Sequence, residues 1–109
     1  MEQFTVIEIP PTAEDREKDL YDFYQQFSEA EKGGHDKVVE KFYELFEQAK
    51  SDYKKMTELY VITNHKIWDS LQPDQSLARL YDNLWNKVGQ WVDNHFTEDE
   101  FNYFYRVTD

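Results

Sequence analysis

The sequence contains no cysteine, only three glycines and three prolines, and no apolar run approaching a bilayer crossing. Each shortage removes a class of protein. Without thiols there is no disulfide framework, no thiolate zinc site and no cysteine nucleophile. A bilayer crossing takes roughly 18 or more consecutive apolar residues. The stretch MEQFTVIEIPP has neither the basic start nor the long apolar segment of a secretion signal. A cytoplasmic protein with no membrane role is therefore expected. The one glycine pair, Gly33-Gly34, is not followed by the lysine and serine that a phosphate-binding loop requires, and reads as a helix stop. Ser28, Ser51, Ser70 and Ser76 are the only serines, and none stands in a Gly-x-Ser-x-Gly turn.

What the chain has is charge and rings. Its 109 residues carry 23 acidic against 12 basic side chains, a net charge of −11, and 17% are aromatic. A mean hydropathy of −0.92 alone would suit a disordered chain. Disordered chains, however, are poor in aromatics, whereas burial of each ring here removes ~150–250 Å² from water. At roughly 25 cal/mol per Å² that is several kcal/mol per ring. The length fits a single folded domain over 1–109.

The spacing of apolar residues predicts an all-α fold, a compact bundle of four to five helices with a short extended N-terminal arm over 1–11. Pro10-Pro11 closes the arm, and Thr12 is the expected N-cap of a first helix over 13–32. Leu20, Phe23, Tyr24, Phe27 and Ala30 form its inward face. Asp36 is expected to cap a second helix. Its stripe of Val38, Phe42, Leu45, Ala49, Tyr53, Met56 and Tyr60 continues in phase through Asn64 and Ile67 to Leu71. An unbroken helix over 36–71 would be ~54 Å long, too long for a domain whose radius of gyration should be roughly 13 Å. A break near Lys50-Ser51-Asp52 is therefore preferred. After a turn at Gln72-Pro73-Asp74, Ser76 or Asp74 caps a helix carrying Leu77, Leu80, Tyr81, Leu84, Val88, Trp91 and Val92. Thr97 with Glu100 forms a capping box for a last helix over 98–105, with Phe101, Phe104 and Tyr105 facing in and Tyr103 facing out.

No cofactor, metal or catalytic residue is expected. The chain has no Glu-x-x-His pair, no His-Glu-x-x-His and no calcium-loop pattern. His65 and Asp69, four residues apart, read as a surface helix pair. Direct nucleic-acid binding is disfavoured, because it depends on lysine and arginine contacts to phosphate. Residues 1–31 hold nine carboxylates against two cations, a local charge of −7, and residues 96–109 hold four against one, or −3. Such ends attract basic protein surfaces.

The expected function is a non-enzymatic acidic module that binds another protein. Its candidate contact residues are Glu14, Asp15, Glu17, Asp19, Asp22 and Glu29 on the first helix, with Trp68, Trp85 and Tyr103 as ring anchors. Both tryptophans sit beside a stripe and so read as partly exposed. Two alternatives stand beside this. The first-helix carboxylates, spaced by three to four residues, could imitate a run of phosphates and occupy the groove of a nucleic-acid-binding or host-defence protein. Alternatively, the 36–71 stripe could pair with its twin in a structural homo-oligomer.

The blocks ITNHKIWDSL (62–71), LARLYDNLWNKV (77–88) and FNYFYRVTD (101–109) resemble small acidic helical proteins of unknown function encoded on bacterial conjugative elements. The resemblance covers the C-terminal half of the chain and brings no assigned activity, so no functional residue carries over. It implies a bacterial cytosolic accessory protein of mobile DNA. Such elements often encode acidic proteins that blunt host defence, which adds weight to the imitation of nucleic acid.

Overall fold

The computed structural model describes residues 11–108, with side chains from residue 20 onward. These residues form five helices and no strand: α1 (Pro11–Glu31), α2 (His35–Ala49), α3 (Tyr53–Ser70), α4 (Gln75–His95) and α5 (Glu98–Thr108). The all-α bundle expected from the spacing is what the chain builds. The expected arm lies outside the described residues except for Pro11, which is already helical. Proline suits that position, because its fixed φ is preset for the first helical turn and its missing N–H would have no partner there. Thr12 is consequently inside α1, not its cap.

The long stripe breaks where the size of the domain demands it. Asp52 takes an extended conformation (φ −145°, ψ 100°), and its carboxylate accepts from the backbone N–H of Lys54 and Lys55. That satisfies donors at the start of α3 which no helical carbonyl can reach. Two helices of ~22 and ~27 Å replace a ~54 Å rod. They fit a molecule of 39 × 35 × 20 Å with a radius of gyration of 14.1 Å. No unbroken helix spans 36–71.

The other ends follow local chemistry. Gly34 is the N-cap of α2, with φ 98° and ψ 177°, a backbone region open essentially only to glycine. It therefore takes the place expected for Asp36, whose carboxylate lies in the first turn of α2, where the helix dipole favours it. Asp74 caps α4 by accepting from Leu77 N at 3.1 Å. Its carboxyl pKa is lowered, first by the Ser76 hydroxyl and then by the Leu77 N–H. The Thr97–Glu100 box closes as expected, with Glu100 N on Thr97 Oγ1 at 3.3 Å and Thr97 N on Glu100 Oε1 at 2.9 Å.

Helix α3 is the axis of the molecule and packs against each of the other four. The pairs Tyr24–Asp69 and Ser28–Lys66 make α1 antiparallel to it, and Tyr60–Trp85 with Lys66–Tyr81 do the same for α4. Around it lies one core that includes Phe27, Val38, Phe42, Met56, Leu59, Tyr81 and Val88, all fully buried. Covered on several sides, α3 also buries Thr57, Glu58, Thr63, Lys66 and Ser70. Thr57 and Thr63 satisfy their hydroxyls on the carbonyls of Tyr53 and Leu59, each at 2.9 Å. The buried line of α3 thus runs through Met56, Leu59, Thr63, Lys66 and Ser70. The expected continuation through Asn64 and Ile67 to Leu71 is rotated away from it: Asn64 and Ile67 are half-buried and Leu71 is 40% exposed.

Candidate functional site

Two features of α3 lie side by side at its C-terminal end: a closed polar network and an open aromatic ledge. The network begins with Lys66, 3% exposed. Its Nζ donates to Glu31 Oε2 at 2.8 Å and to Ser28 Oγ at 3.3 Å, and lies 4.3 Å from the centre of the Tyr24 ring. The Tyr81 hydroxyl donates to the same Glu31 oxygen at 2.6 Å. Lys66 thus gathers a carboxylate, a hydroxyl and a ring face, which together offset the loss of water around a buried ammonium. The Tyr81 phenol pKa is driven far up, first by burial and then by the carboxylate it donates to. Tyr24 is also raised, chiefly because its hydroxyl donates to Asp69 Oδ2 at 2.9 Å. Asp69, expected as a surface partner of His65, therefore binds across to α1 instead.

That Tyr24–Asp69 bond sets the turn of α1 around Tyr21 against the last turn of α3. On the outside of this junction Trp68 is 68% exposed, Tyr21 64% and Leu71 40%. Over residues 20–25 and 67–78 the only charged side chains are Asp22, Asp69 and Asp74, with no lysine or arginine. Trp68 and Leu71, three residues apart at the end of α3, thus form an exposed ledge, with Tyr21 exposed one turn before the Tyr24 that bonds Asp69 and only carboxylates among the charged residues of these two stretches. It offers apolar contact and negative potential, and no nucleophile–base pair.

The other expected contact residues scatter. Glu14, Asp15, Glu17 and Asp19 lie on α1, where their side chains are outside the described residues. Asp22 and Glu29 are exposed, and Glu29 is paired with Lys32 at 3.0 Å. Trp85 is half-buried against Tyr60, with ring centres 5.3 Å apart. Tyr103, expected to face out, packs edge-on against Tyr53 at 5.4 Å beneath the cations of Lys54 and Arg106. Tyr105, expected to face in, is 55% exposed. The reason is the way α5 crosses α3. Phe104 enters the core beside Tyr60, which lays Tyr103 on Tyr53 and turns Tyr105 outward. Trp68 and Tyr103 accordingly belong to opposite ends of α3, ~22 Å apart along its axis, and form no common patch.

Sequence reasoning missed the network and the exposure of Leu71 and Tyr21. Lys66 did carry a signal, since it stands three residues after Thr63, seven after Leu59 and four before Ser70 on the buried line. Tyr21 carried none, being one ring among several on α1. Among the described residues no group of three or more histidines and carboxylates is placed to hold a metal ion, and no helix is long and apolar enough to cross a membrane. No protein-family model, curated protein or solved structure matches the chain.

Proposed function

We propose that this protein is a non-enzymatic acidic interaction module that docks another protein on the Trp68–Leu71 ledge. The observation that carries this reading is Trp68, left 68% exposed at the end of α3, three residues from the exposed Leu71 and next to Asp69 in the chain. Tryptophan and tyrosine dominate the binding energy of interfaces because they bury large rigid surfaces. An anionic rim selects partners with basic surfaces and speeds their encounter.

The test compares capture by the immobilised protein and by its Trp68→Ala and Leu71→Ser variants. Both side chains are exposed, so thermal stability should change little, by about 0.5 kcal/mol or less. Capture of the basic partner should fall at least tenfold for Trp68→Ala, as for an interface anchor. Capture that survives both substitutions, but fails when the acids of α1 are neutralised, would replace the ledge with an imitation of nucleic acid.

A further inference from the structure

About two turns before Trp68 on α3, a second feature of different chemistry opens between α3 and α4. Tyr60, Trp85, Asn86, Gly89, Gln90 and Asp93 line a cleft of about 160 Å³. Gly89 is one reason it is open. A Cβ there would make only ordinary contact with Tyr60 Cε1, at 3.5 Å, so packing against Tyr60 does not require glycine, and any longer side chain would project into the space. Glycine within a helix costs ~1 kcal/mol relative to alanine. The position thus gives up stability and leaves room.

The walls offer acceptors. Asp93 supplies a carboxylate, near enough to the Tyr60 hydroxyl to oppose its ionisation, which burial opposes more strongly. Asn86 gives one of its two amide N–H bonds to the Asp82 carbonyl at 3.0 Å, and its side-chain oxygen remains an acceptor. The Trp85 N–H is shut off from the surface and has no acceptor in hydrogen-bond alignment, although the nearby Tyr60 hydroxyl feels it. Trp85 therefore shows the cleft its ring and no donor. A carboxylate, two side-chain amides and two rings, without a lysine or arginine among them, suit a guest that is cationic, flat and rich in donors. Guanidinium has that description: five N–H donors, no acceptor, and a planar face that lies on aromatic rings.

We propose that this cleft receives an arginine side chain of a protein partner, its guanidinium laid along the Tyr60–Trp85 wall and paired with Asp93. The two rings are 5.3 Å apart centre to centre, so the guest lies on an outer face of the pair and not between them. An ammonium fits less well, because it is a compact point charge that cannot bond Asp93 and Asn86 in one plane.

The three tryptophans provide three indole N–H resonances in a ¹⁵N spectrum, of which Trp85 reports on this cleft. Titration with doubly blocked arginine amide should move it saturably, with a Kd on the order of 1–10 mM, as befits one side chain. Blocked citrulline, the neutral isostere, should leave it in place, and blocked lysine should bind severalfold more weakly. Asp93→Asn, at an exposed position, should weaken arginine binding by about fivefold. Gly89→Leu should abolish it. The proposal is overturned if the Trp85 resonance ignores arginine, if citrulline moves it equally, or if Asp93→Asn binds as tightly as the parent. These small-molecule readouts do not depend on the Trp68 ledge, so either site can fail without the other.

Discussion

Lys66 places a full charge where only 3% of its surface meets water, and its neighbours explain why the chain tolerates it. Removing one member of a buried pair leaves the other charge stranded, which typically costs 3–5 kcal/mol. Glu31 is less enclosed, with a quarter of its side chain exposed, and keeps the Tyr81 hydroxyl. We therefore expect Lys66→Ala to lose about 2–3 kcal/mol in urea unfolding. Lys66→Met, which refills the volume, should lose less. A second prediction follows from the phenols. Tyr81, Tyr24 and Tyr60 all have pKa values raised by folding. Their contribution is complete below the ordinary tyrosine value of about 10. It is lost as pH rises toward the folded values, because the unfolded chain gives up these protons first. Stability should therefore fall steeply above about pH 10, and Tyr81→Phe should flatten the fall while costing about 1.5–3 kcal/mol at neutral pH for a hydrogen bond to a charged acceptor.

At the scale of the helices, caps and stripes decide. The α2–α3 corner has no glycine or proline, and what holds it is the Asp52 carboxylate over the first turn of α3. Asp52→Ala should cost about 1 kcal/mol, while Asp52→Asn, which keeps an acceptor, should cost less; thermal denaturation reads both. This corner was legible in the sequence only through a size argument, since local propensity alone would have run α2 into α3. The stripes of α2 and α4 and the Thr97–Glu100 box were legible because each is a local pattern with a single buried face. Helix α3 was not, because four neighbours cover it and no single polar face survives to fix its register. The Lys66 network was hidden for another reason. Its members come from α1, α3 and α4, and only the packing of those helices brings Ser28, Glu31 and Tyr81 to one ammonium. Trp68 was read as exposed because it stands beside the stripe, and it is. Tyr103 was misread because the crossing angle of α5 is a property of the packed molecule and not of its own sequence.

The whole chain carries a net charge of −11, and the described residues form a body only 20 Å thick in its shortest dimension. At an ionic strength of 0.01 M the Debye length is about 30 Å, longer than this thickness, so carboxylates across the molecule repel one another. At 1 M it is about 3 Å, and only immediate neighbours interact. Salt should therefore act in opposite directions on two measurements. The melting temperature of the free protein should rise as sodium chloride increases from 0.01 to roughly 0.5 M, because self-repulsion that opposes the compact state is screened. Capture of a basic partner should weaken over the same range, mainly through slower association, since steering by the anionic rim is lost while the apolar contact of Trp68 remains. A Trp68→Ala variant should show the same rise in melting temperature, because it removes no charge, yet start from an affinity already reduced. If capture strengthens with salt instead, the ledge binds by apolar contact alone and the acidic surface has no part in choosing the partner.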